Sequence, residues 1–143
     1  MDARVGLRHL IPSTSTWIEI PRSRAARDRV ADEVRRLPPG APVVLADRRF
    51  GSRRRSRALA RLASVDVDRE LLAIPSVDAP AYVVDDDPRV VAGFWRGFVT
   101  VPPGIVASAL AVTLAIRVVD VLHAWALVGL VLPGRYTVGR RAG

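Results

Sequence analysis

The stretch from Ala31 to Asp87 constrains the fold most, because three secondary-structure signals follow one another there with short breaks. It reads ADEVRRLPPGAPVVLADRRF, then GSRRRSRALARLA, then SVDVDRELLAIPSVDAPAYVVDDD. The first block closes a helix at Leu37, turns through Pro38-Pro39-Gly40 and enters Val43-Val44-Leu45, a short apolar run that suits a buried strand. Upstream, Thr14 to Ile20 alternates as a strand does, with Thr16, Ile18 and Ile20 on one side and Trp17 and Glu19 on the other. Pro21 ends that run. Ser23 then offers an N-cap to a helix starting at Arg24, whose Ala26, Val30, Val34 and Leu37 recur at four, four and three to make one buried stripe.

A second helix begins near Gly51-Ser52 and takes its apolar edge from Leu59, Leu62 and Ala63. Val65 and Val67 alternate with Asp66 and Asp68, and Leu71, Leu72 and Ile74 continue an extended segment up to Pro75. Pro75 to Pro80 reads as a turn, after which Tyr82-Val83-Val84 returns as an antiparallel neighbour. Asp85-Asp86-Asp87-Pro88 resembles a divalent-cation loop in composition. A helix start explains it better: Asp87 caps, Pro88 fits the first turn, and negative charge suits the positive end of the helix dipole. That helix would turn Val90, Val91, Phe94, Trp95 and Phe98 inward before Pro102-Pro103-Gly104. The expected architecture is α/β: a small mixed sheet of about four strands in two or three layers, with flanking helices and a long apolar C-terminal helix.

That last helix is read over Ile105 to Leu132, an apolar run long enough to raise the question of a membrane span. Arg117 and Asp120 lie near its middle, and each costs about 2.5–3.5 kcal/mol at a bilayer centre, against about 0.3–0.6 kcal/mol returned by each large aliphatic residue. Thr113, Arg117 and Asp120 share one helical face, where the two charges can pair, and His123 is adjacent. The stripe formed by Arg117, Asp120 and His123 suits docking on a partner, lying in a membrane interface, or spanning with the stripe against protein. Arg135, Arg140 and Arg141 read as a basic tail that would favour an anionic cytoplasmic leaflet. The chain therefore divides into an α/β part over 1–103 and an apolar helix with basic tail over 104–143.

The 143 residues carry a net charge of +8, no cysteine and two histidines. All 22 basic residues are arginine, which marks much of the charge as compositional. The densest charge is DRRFGSRRRSR, where Arg48, Arg49, Arg53, Arg54, Arg55 and Arg57 form a candidate anion-binding cluster at the start of a helix. Phe50 is its one aromatic residue, and no phosphate-loop spacing ends in Gly-Lys-Ser/Thr. Absence of cysteine excludes disulfides, thiolate metal sites and cysteine nucleophiles, and nothing near Met1 reads as a secretory signal. His9 and His123 are far apart in the sequence, and no motif of a serine hydrolase or metalloprotease accompanies them. No catalytic, cofactor-binding or metal-binding residue is assigned.

The succession DEVRRLPPGAPVVLADRRF, helix, ARLASVDVDRELLAIPS, turn, APAYVVD resembles the C-terminal half of class I S-adenosylmethionine-dependent methyltransferases over roughly residues 14 to 87. In that family a helix ends in an Arg-Arg/Val-Leu-x-Pro-Gly-Gly turn before the fifth strand, a further helix follows, and an antiparallel pair closes the sheet. Arg35-Arg36-Leu37-Pro38-Pro39-Gly40 occupies the turn, with Ala41 where a second glycine is common, and Thr16 to Ile20 falls where the fourth strand is expected. The family's glycine-rich cofactor loop has no counterpart among the ten glycines. The resemblance implies a partial fold without S-adenosylmethionine binding of its own. It fits an accessory component, associated with a protein partner, a further copy of itself or a membrane surface in cell-envelope or glycan assembly. Methyl transfer would need another chain. The expected location is cytoplasmic, including the inner face of the membrane. The alternative is a basic module for nucleic acid or phosphorylated ligands through Arg48 to Arg57.

Overall fold

The computed structural model describes residues 10–74, 76–78, 80–98, 106–122, 124, 127 and 134–143. In chain order the elements are β1 (Thr16–Glu19), α1 (Arg24–Arg35), β2 (Pro42–Asp47), α2 (Ser52–Leu62), β3 (Val65–Ile74), β4 (Tyr82–Asp85), α3 (Pro88–Phe98), α4 (Val106–Val121) and β5 (Arg135–Arg141). The five strands form one mixed sheet in the order β1-β2-β5-β3-β4. β1 runs parallel to β2, whereas β5 is antiparallel to both β2 and β3, and β4 is antiparallel to β3.

Local signals explain most of these elements. The Ser23 hydroxyl accepts the Ala26 amide at 3.2 Å and starts α1, and Ala31 and Val34 are its fully buried residues. Gly40, at φ +79°, makes the turn into β2 in a conformation that side chains resist. Val43, Val44, Leu45, Ala46 and Asp47 are all buried, as expected of a strand covered on both faces. At the start of α3, Asp87 Oδ1 accepts the amides of Arg89 and Val90 at 2.8 and 3.3 Å, so the carboxylate is a cap as its sequence position indicates. β3 and β4 are antiparallel neighbours across the 75–80 segment, with Leu72 opposite Val84.

Alternation sorts the core onto two faces. On one, Val44, Ala46, Leu71, Ala73, Tyr136 and Val138 pack with Ile11 and Val77. On the other, Val43 and Leu45 pack against Ala31 and Val34 of α1 and Leu59, Ala60 and Ala63 at α2. Leu72, on that same face, meets Val91 and Ala92 of α3, and Ile116 and Val119 of α4 pack against the same cluster. Among the described residues the helices therefore form a single layer. Truncating Leu45 or Leu59, both buried, would forfeit about 2–5 kcal/mol.

Four readings from sequence are corrected. Residues 135–141 are no basic tail: they form β5, the middle strand, so the sheet continues past the 103/104 division. The signal was the alternation of Tyr136 and Val138, hidden between arginines. Of the run from Ile105 to Leu132, residues Val106–Val121 form α4, and no helix among the described residues is long and apolar enough to cross a membrane. Asp120 pairs with Arg96 of α3 rather than with Arg117, which is exposed; His123 lies outside the described residues. In α3, Val90 faces outward at 42% exposure while Val91 and Ala92 turn inward against Leu72.

Candidate functional site

The arginine-rich block folds around carboxylates that the sequence places far from it. Asp47 ends β2 with its side chain 1% exposed. Arg49 Nε donates to its Oδ1 at 2.9 Å, and Arg55 Nε donates to its Oδ2 at 2.7 Å. Arg55 also donates to the carbonyls of Arg49 and Phe50, so the connection from β2 to α2 is wound around one guanidinium. Burial raises the carboxyl pKa of Asp47, but the hydrogen bonds from Arg55 and Arg49 outweigh it and the net shift is downward. The group stays ionised because its neighbours are cationic donors.

A second knot lies beside the first. Arg57 grips Glu70 through both carboxylate oxygens at 2.8 Å. Arg53 stands 3.5 Å from Glu70 and 3.6 Å from Asp86. Beneath them is Arg135 of β5, fully buried, which pairs with Asp86, lies 3.7 Å from Glu70 and donates to Ser52 Oγ at 3.3 Å. For Glu70 burial again acts upward, and the Arg57 hydrogen bond with the charges of Arg57, Arg135 and Arg53 carries the net shift below the ordinary value. Arg53, Arg57, Glu70 and Asp86 line a cleft of about 700 Å³ that also includes Arg61, Arg69, Asp68, Asp85 and Asp87. Arg69 pairs with Asp85 at 3.0 Å. An ionised carboxylate saturated by guanidinium donors is neither a proton donor nor an available base near neutrality. Among the described residues no three histidine or carboxylate side chains come together as a metal site would need.

Of the six arginines singled out in the sequence, five thus have carboxylate partners. Arg48 reaches Glu19 and Asp78, Arg49 and Arg55 share Asp47, and Arg53 and Arg57 share Glu70. Arg54 is exposed, with no such partner among the described residues. The cluster is mainly a fastening of α2 onto the sheet. What sequence reading missed is the acidic half, Asp47, Glu70 and Asp86, and the buried Arg135.

The second distinctive surface is the outer side of α4. Leu110, Leu114, Val118 and Val121 recur at four, four and three, with exposures of 67%, 64%, 48% and 77%. Leu122 extends the row and is 68% exposed. Ile116 and Val119 hold the opposite side against the body of the protein. Helices of globular proteins ordinarily expose a polar face, so a helix apolar on both sides is unusual at a water-facing surface. Arg117 stands within this outer row, without a carboxylate partner among the described residues.

No protein-family model, curated protein or solved structure matches this chain.

Proposed function

We propose that this chain is a methyltransferase-like association module without catalysis of its own, whose docking face is the outer side of α4 and whose occupant there is a second copy of the chain. The observation that carries this reading is the exposed row of Leu110, Leu114, Val118, Val121 and Leu122. A stripe of that kind is self-complementary across a two-fold axis. A membrane surface is the weaker occupant, since an interfacial helix carries a strongly basic polar face that α4 lacks.

The methyltransferase-like part draws support from element order. α1 ends at the Arg-Arg-Leu-Pro-Pro-Gly turn, β1 lies parallel to β2, α2 follows, and antiparallel strands close the sheet. The basic-module alternative draws less support, because most of Arg48 to Arg57 is already engaged by carboxylates.

Sedimentation over a wide concentration range tests the docking face. The expected result is a dimer that Leu114→Glu converts to monomer with an unchanged circular dichroism spectrum. A monomer at every concentration would overturn it. Calorimetric titration with S-adenosylmethionine should show no heat of binding, and micromolar affinity would end the non-catalytic reading.

A further inference from the structure

The groove between α1 and α2 is built differently from the ion-paired cleft. It is lined by Arg24, Arg27 and Asp28 of α1 and by Ala58, Leu59 and Leu62 of α2, and its volume is about 240 Å³. Arg54 stands one helical turn before Ala58 and two before Leu62, on the same side of α2. Arg24 and Arg54 are exposed, and neither has a hydrogen bond or carboxylate partner among the described residues. Arg27 adds to this: its Nε is buried and has no hydrogen-bond partner among the described residues.

We infer that this groove binds a phosphoryl group held by Arg24, Arg27 and Arg54. A buried donor without an acceptor is destabilising, and an anion entering the groove removes that cost. The planar guanidinium fork matches phosphoryl oxygens and binds them through two parallel N–H bonds. The charge balance agrees. The two arginines of the lining, Arg24 and Arg27, face a single carboxylate, Asp28, and Arg54 adds a third cation beside them on α2, whereas the guanidiniums around Asp47, Glu70 and Asp86 are answered by acidic partners. The first turn of α1 holds no acidic residue. Two guanidiniums therefore sit at the positive end of that helix, an arrangement an arriving anion converts from repulsive to favourable. The floor of Ala58, Leu59 and Leu62 is apolar and the groove is small, which suits a compact phosphomonoester rather than a nucleic-acid duplex.

The phosphoryl group can be that of a soluble ester or of a lipid headgroup, and the test separates the two. The full chain is titrated with inorganic phosphate and glycerol phosphate by calorimetry. Separately, it is sedimented with phosphatidylcholine vesicles containing or lacking phosphatidic acid. Saturable binding is expected in at least one arm. Arg27→Gln should weaken it by about tenfold or more, the loss of one charge-assisted hydrogen-bond pair. Arg89→Gln, an equal loss of charge at an exposed site on α3, should leave it within about twofold. Response to the soluble esters assigns a soluble ligand; response only to phosphatidic acid vesicles assigns a headgroup. If Arg27→Gln fails to fold, the Arg24→Gln, Arg54→Gln pair carries the same comparison. Lack of saturable binding in both arms, or equal weakening by Arg27→Gln and Arg89→Gln, overturns the assignment.

Discussion

Removing the charge of Asp47 should cost more than its place at a strand end implies. In Asp47→Asn the guanidiniums of Arg49 and Arg55 lose an ionised acceptor. Both arginines still reach water, so about 2 kcal/mol is expected rather than the 3–5 kcal/mol of a fully enclosed pair, measurable as a shift in urea midpoint. The pH dependence has a definite sign. Asp47 and Glu70 titrate in the folded protein below their ordinary values of 3.8 and 4.5. Their stabilisation is complete above those values and is lost as pH falls through the depressed folded ones. The urea midpoint should hold from pH 7 to about pH 5 and drop below about pH 4, with a shallower drop in Asp47→Asn. Tyr136 works the other way: burial pushes its hydroxyl up to about 12, so it remains a donor to the Val77 carbonyl at 2.5 Å. The density of arginine in DRRFGSRRRSR was legible in the sequence. Its partners were not, because Glu70 and Asp86 come to it through the sheet, and no local spacing encodes that meeting.

Elements with local chemistry at their ends were the legible ones. Ser23 and Asp87 cap α1 and α3 as their positions indicate, and Pro38-Pro39-Gly40 breaks α1 from β2. β5 was not legible. Its seven residues contain three arginines, and the apolar period of Tyr136 and Val138 is too short to stand out. Burial of Arg135 depends on acids supplied by other elements. β5 also contains the tightest surroundings of any described glycine, since a Cβ on Gly139 would lie 2.3 Å from the Asp66 carbonyl oxygen. The obstacle is the Asp66 backbone itself, with a Val65 methyl at 2.9 Å beside it, so no flexible side-chain end can simply swing away. Gly139→Ala should therefore destabilise by about 2 kcal/mol or more, seen as a lower thermal midpoint. The limits of α4 were hard to read for the opposite reason, because an unbroken apolar run carries no period that marks where a helix stops.

The whole molecule is a sheet joined at its centre by a strand that comes after α4. β2 and β3 do not pair directly; each pairs with β5. A chain ending at Pro133 should lose its near-ultraviolet dichroism and unfold without a cooperative transition, whereas one lacking only Ala142 and Gly143 should keep both. The α/β class followed from hydrophobic period and turn residues. The strand order did not, because it depends on pairing across a long chain separation. That separation shapes how the protein is made. Until the ribosome has passed α3 and α4, the nascent chain holds two half-sheets, each with a bare rim of amides and carbonyls waiting for the same insert. Assembly is then a late keystone event, slow by virtue of its long-range closure, and during the wait those rims are exposed to pairing with neighbouring chains.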